Sequence, residues 1–173
     1  SAFTYGGWGI YPDEGSSEIV IENNVVYGCK SASFHQHYGR ENVVRNNVFA
    51  FGKESQLMRT RAESHRSFTL ERNIVYWTGG ALLGSNCGDD KYKLDHNVYW
   101  KAGGGEVRFA QWSFDDWKKR GQDEHSVIAD PLFVDPGKHD FRLKPGSPAL
   151  GMGFQPIDLQ GAGPRPDAGR EES

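Results

Sequence analysis

Two histidines one residue apart, His35 and His37, and an adjacent pair of acids, Asp13 and Glu14, are the side chains of this sequence best suited to moving protons. Two carboxylates flanking a scissile bond can divide the work of hydrolysis, one protonating the leaving oxygen while the other acts as base or nucleophile. Adjacent residues seldom face one another suitably, so Asp13 with His37, or with a carboxylate on another coil, is an equally fair pairing. An imidazole or a phenol can instead remove a proton beside a carboxylate that a cation neutralises; His35 or His37 would then be the base. Trp8, Tyr11 and Tyr38 offer flat apolar faces that stack on sugar rings, and Arg59, Arg61 and His65 offer donors to hydroxyls or carboxylates. The expected catalytic set is therefore Asp13, Glu14, His35 and His37, and the expected binding set Trp8, Tyr11, Tyr38, Arg59, Arg61 and His65. A lone strand histidine is more often a hydrogen-bonded surface residue, but His-x-His near acids is less easily set aside. His35, His37 and Asp13 could also hold a divalent metal, since residues two apart on a strand share a face. No third-ligand motif accompanies them, so no cofactor is expected.

A repeat must position these groups. Glu22-Asn23-Asn24-Val25-Val26-Tyr27 is echoed by Arg45-Asn46-Asn47-Val48-Phe49-Ala50, by Glu71-Arg72-Asn73-Ile74-Val75-Tyr76 and by Asp95-His96-Asn97-Val98-Tyr99-Trp100. The aligned asparagines Asn24, Asn47, Asn73 and Asn97 are spaced by 23, 26 and 24 residues, a coil-sized period. Alternating residues precede each asparagine and a β-branched and aromatic run follows it, the pattern of strand, tight bend, strand. Asparagine suits the bend because its amide bonds local backbone and it tolerates left-handed φ. Stacked bends would let these amides bond along the axis as a ladder. A third short strand is expected around Gly9 to Tyr11, Phe34 to His37, Gln56 to Thr60 and Ala81 to Gly84. The prediction is an all-β parallel β-helix with three strands per coil and about four coils. A sandwich of hairpins would want Asn-Gly or Asp-Gly turns, and the sequence has none.

Strand alternation then sorts the third sheet. With Ile10, Phe34, Leu57 and Leu82 inward, the outward column holds Tyr11, His35, Met58 and Leu83, and the next holds Asp13, His37, Thr60 and Ser85. That parity turns Gln36 and Arg59 inward, where each needs a partner; Arg59 joins the binding patch only if it faces out. Arg40, Glu41 and Asn42 fall in a tight turn and are expected to bind backbone.

These repeats, together with Gly9-Ile10-Tyr11-Pro12-Asp13-Glu14-Gly15, Phe34-His35-Gln36-His37-Tyr38-Gly39-Arg40 and the terminal Asp130-Pro131-Leu132-Phe133-Val134-Asp135-Pro136, resemble bacterial right-handed β-helix repeat proteins of the pectate-lyase-like superfamily. The resemblance spans nearly the whole chain and implies a right-handed coil. It also implies a secreted or periplasmic protein acting on polysaccharide or oligosaccharide. Within that superfamily the readings are a glycoside hydrolase first, then a polysaccharide lyase working by β-elimination on uronic acids, then a non-catalytic glycan-binding or structural module.

Composition sets the outer limits. The 173 residues suit one domain, with Lys and Arg totalling 20 against 23 Asp and Glu and a net charge of −3. No general positive field exists for nucleic acid. The longest apolar runs, such as Ile19 to Ile21, fall far short of the roughly 20 residues that span a bilayer. Two cysteines, Cys29 and Cys87, are too few for a disulfide framework and are expected to be buried thiols. Residues 1–112 are expected to form coils, and 113–163 a short helix and cap, with Ser113 capping, Lys118 to Arg120 in the last turn and Gly121 as the stop. The strand pair after Asp130 is expected to close the last coil, and 164–173 to form a flexible tail. Because solenoid ends expose unpaired edges, the abrupt start at Ser1 predicts missing coils or a second copy covering the open end.

Overall fold

The asparagine of each repeat sits where one short strand bends into the next, and that bend organises the chain. In the computed structural model, which describes residues 9–12, 16–37, 39–60, 64–84, 87 and 89–158, the first circuit comprises β1 (Ser16–Ser17), β2 (Val20–Glu22), β3 (Val25–Tyr27) and β4 (Ala32–Gln36). The second comprises β5 (Gly39–Arg40), β6 (Asn42–Arg45), β7 (Val48–Ala50) and β8 (Ser55–Arg59). β9 (Phe68–Glu71), β10 (Ile74–Trp77) and β11 (Ala81–Leu83) follow, then β12 (Lys93–Asp95) and β13 (Val98–Lys101). After them come α1 (Phe114–Lys119), β14 (Val127–Ile128), β15 (Phe133–Asp135), β16 (Asp140–Leu143) and α2 (Pro148–Gly151). Equivalent strands pair in parallel as β2-β6-β9-β12, β3-β7-β10-β13-β14 and β4-β8-β11. The fold is a parallel β-solenoid, as the repeat predicts, with about three turns where about four coils are expected.

Register stacks like residues into columns. Ile21, Val44, Leu70 and Leu94 form one inward column, and Val26, Phe49, Val75 and Tyr99 another. The asparagine row is real. Asn24 Nδ2 donates to Asn47 Oδ1 at 3.0 Å, Asn47 Nδ2 to Asn73 Oδ1 at 3.0 Å, and Asn73 Nδ2 to Asn97 Oδ1 at 3.3 Å. The amides of Asn24, Asn47 and Asn73 also close their own bends, as when Asn47 Nδ2 donates to the Arg45 carbonyl at 2.9 Å. The left-handed residue is the one before the ladder position: Asn23, Asn46, Arg72 and His96 have φ of 59°, 53°, 52° and 55°. The ladder asparagine supplies the bonds and its predecessor takes the strain, a division the repeat alone does not reveal.

The closing of the structure is divided between two segments. α1 is capped by Ser113, whose Oγ accepts from Asp116 N at 3.2 Å, and it buries Trp117 against Phe109, Tyr92 and Trp112 at the end of the core. The ladder ends here too, on Ser126 Oγ and the buried Asp123 carboxylate. The strand pair β15-β16 does not close the last coil. It lies along the outer face of the β3-β7-β10 sheet, with Phe133 beside Tyr76 (ring centroids 5.4 Å) and Phe141 beside Tyr27 (5.6 Å). That sheet has apolar side chains on both faces, Val48, Ile74 and Val98 pointing outward, and needs a cover on each. The expected tail at 164–173 lies outside the described residues.

Candidate functional site

The third sheet carries the histidines. Its register pairs Phe34 with Leu57 and His35 with Met58, and an isolated parallel bridge joins Ile10 to Phe34. Tyr11, His35 and Met58 therefore share the outward column, as alternation predicts. The next coil departs by one residue: Leu83, and not Leu82, pairs with Leu57. Leu83 is thus inward and Gly84 lies beside Met58, whose Cε would stand 3.2 Å from any Cβ there.

His35 and His37 converge on one hydroxyl, with the Tyr11 ring beside both. Thr60 Oγ1 lies 2.8 Å from His35 Nε2 and 2.9 Å from His37 Nδ1. The hydroxyl has a single hydrogen, so it can donate to at most one of the two rings. At least one imidazole must then present its N–H to Thr60, and the two tautomers are coupled. The Tyr11 ring lies 4.8 Å from that of His35 and 6.2 Å from that of His37. His35 is sealed at 2% exposure, whereas Tyr11, His37 and Thr60 are half-buried. His37 is the ring that solvent, or a bound molecule, can reach. His65 stands nearby, its Nε2 3.3 Å from the Gly39 carbonyl. Thr60 was in the expected column, but nothing about its type marked it as the bridge.

Arg59 is not part of this surface. Its side chain is fully buried, because the inward parity that places Phe34 and Leu57 in the core continues through Gln36 and Arg59. It is satisfied there by Asp89 Oδ1 at 2.6 Å, by Ser67 Oγ and the Lys91 carbonyl at 3.3 and 3.4 Å, and by the Tyr92 ring at 5.1 Å. Gln36 likewise donates to the Ser67 carbonyl at 2.8 Å. Beside them burial pushes the Cys87 thiol up to about 11, against the pull of the Arg59 charge. Cys29 and Cys87 are both free and buried. Asn42 binds backbone as expected, donating to the Ser16 carbonyl at 2.9 Å. Trp8, Asp13, Glu14, Tyr38 and Arg61 lie outside the described residues.

Two larger clefts open elsewhere among the described residues. One of about 690 Å³ runs between the corner residues Glu22, Arg45 and Arg72 and the segment from Gly153 to Asp158. The other, about 700 Å³, opens where His139, Phe141 and Leu143 meet Val25 and Val48. Neither involves the histidine pair. Thr60 Oγ1 lies between the facing nitrogens of His35 and His37. A second cluster, Asp95 with His96 and His125, brings its donor atoms within 4.8 Å of one another at the last corner. Its one legible signal was that His96 and His125 stand one coil apart.

Fold and site together define a parallel β-solenoid with a histidine and threonine cluster on its flank. The chain is similar to the uncharacterized protein YwoF of Bacillus subtilis (strain 168), 28% identical over 193 residues, an alignment covering 84% of this chain and 41% of that relative. The chain therefore spans about two-fifths of the relative's length. No family profile matches the chain, and no solved structure matches it.

Proposed function

We propose that this protein processes carbohydrate polymers, with His37 as the proton-transferring group that meets the substrate and His35 as its positioning partner through Thr60. The coupled His35–Thr60–His37 arrangement carries this reading. A parallel solenoid repeats its side chains every 4.7–4.9 Å along the axis, which gives a long shallow flank suited to an extended chain of similar units. Tyr11 provides a face for sugar stacking beside the rings. Glycoside hydrolysis is the first reading, with Asp13 or Glu14 supplying the carboxylate chemistry. β-Elimination on a uronic-acid polymer is the second, favoured by the fact that the groups gathered at Thr60 all take and give protons.

The test is a panel of xylan, fucosylated glycans, pectin and alginate, scored both for new reducing ends and for unsaturated, ultraviolet-absorbing products. His37→Ala is expected to lower turnover by about 10²–10⁴-fold, the range for a lost general acid or base. Reducing ends without ultraviolet absorbance mean hydrolysis; both signals together mean elimination. Unchanged turnover in His37→Ala removes the site, and glycan binding without any turnover leaves a binding module.

A further inference from the structure

We propose that Asp95, His96 and His125 form a binding site for a divalent transition metal of the zinc class at the corner where the last two turns meet. The solenoid register assembles it. His96 holds the left-handed position before the ladder asparagine, with φ of 55°. His125 immediately precedes Ser126, whose hydroxyl takes the ladder's next place by accepting from Asn97 N at 2.9 Å. The two imidazoles are thereby stacked one turn apart, with centroids 4.9 Å apart and planes 14° from parallel. In earlier turns this column carries Asn23, Asn46 and Arg72, which offer no such pair.

The carboxylate between them is already oriented. Asp95 Oδ1 accepts from the backbone N–H groups of His96 and His125 at 2.9 and 2.8 Å. Those bonds hold the group by one oxygen and turn Oδ2 toward both rings, 2.8 Å from His125 Nδ1 and 3.5 Å from His96 Nδ1. Donors on a tetrahedral zinc, at about 2.0–2.2 Å from the metal, stand about 3.4 Å from one another. The two contacts bracket that spacing, and small side-chain rotations suffice to bring three donors onto one ion. Backbone amides fixing the far oxygen of a ligating carboxylate are the outer-shell support such sites use. Two imidazoles and one carboxylate select zinc, nickel, cobalt or copper over calcium or magnesium, which want oxygen ligands. On binding, the metal takes the Nδ1 lone pair that faces Oδ2: a neutral ring then carries its single proton on Nε2, and a protonated ring releases its second proton to solvent. The remaining coordination position is open outward, since the side chains of His96 and His125 are 47% and 62% exposed.

Chelator-stripped protein titrated with zinc chloride by calorimetry is expected to bind one equivalent, with the cobalt(II) form showing a visible spectrum of a nitrogen and oxygen site. His96→Ala and His125→Ala are each expected to weaken binding at least tenfold. Asp95→Asn keeps an oxygen for the two amides and is expected to do the same. His125→Gln, a polar change at an exposed position, provides a second variant whose metal-free thermal unfolding should match the parent. His35→Ala with His37→Ala is expected to leave zinc binding intact. Absence of stoichiometric binding, or binding that survives His125→Gln yet disappears in the His35 and His37 variant, overturns the proposal.

Discussion

Arg59 lies in the core of the solenoid with a carboxylate partner that is only partly sheltered: the Asp89 side chain is 37% exposed while that of Arg59 is 0%. The two halves of this pair should respond differently to removal. Asp89→Ala takes the carboxylate at 2.6 Å away from a buried guanidinium and is expected to cost about 3 kcal/mol. Arg59→Met leaves a carboxylate that water can reach and an apolar side chain where Tyr92 stacks, so its cost should be clearly smaller. Urea midpoints of the two variants check the order. A second buried charge, Asp123, titrates in a sealed site. Burial pushes its carboxyl above the usual range, and the bonds from Ser126, Trp117, Asn97 and Tyr99 oppose that rise without cancelling it. The folded state therefore holds this proton more tightly than the unfolded chain does. Stability from this group is greatest below about pH 4, the ordinary aspartate range, and falls as pH rises through the folded value. The melting-temperature difference between Asp123→Asn and the parent should move in the variant's favour from about pH 4 to pH 8.

At the scale of elements, the ladder joins turns that short strands alone would hold weakly. Asn73 donates to the Val44 and Glu71 carbonyls and to Asn97, while its own Oδ1 accepts from the Asn47 backbone and amide. Replacing it with alanine strands several buried groups at once and is expected to cost about 3–4 kcal/mol. Asn24, the half-buried first rung, has solvent as a substitute, and Asn24→Ala should cost only about 1 kcal/mol. Chemical unfolding of both variants tests this gradient along the axis. The ladder was legible in the sequence because one residue type recurs at one spacing. Its terminus was not, because there the chain substitutes Ser126 and Asp123, which share no letter with asparagine. The outward column on the third sheet was legible through His35 and Met58. It failed at Leu82 and Leu83, since two adjacent leucines satisfy either parity and only strand register decides between them.

The whole molecule is held by a contact that the repeat does not encode. The segment after Asp130 runs back along the outer face of the β3-β7-β10 sheet. Asn46 Oδ1 there accepts from Gln155 N at 2.6 Å, and Asn46 Nδ2 donates to the Gln155 carbonyl at 2.9 Å. Phe141 is 7% exposed within this second core. Phe141→Ala is expected to cost about 3 kcal/mol and to raise binding of a hydrophobic dye, with circular dichroism of the solenoid largely kept. A variant as stable as the parent would mean that the flank needs no cover.

By itself the sequence determined the stacking of turns, the asparagine row, the helix at Ser113 and the burial of both thiols. The first two depend on local chemistry repeated at a fixed interval, and the last two on residue types and counts; both kinds of signal survive in a linear string. Only tertiary structure decided that Thr60 bridges two imidazoles, that Arg59 turns into the core onto Asp89, that His96 and His125 stack around Asp95, and that the last segment covers a flank. Those are contacts between residues about two dozen or more positions apart, and the register of one turn on the next, measured in single residues, determines which side chains meet.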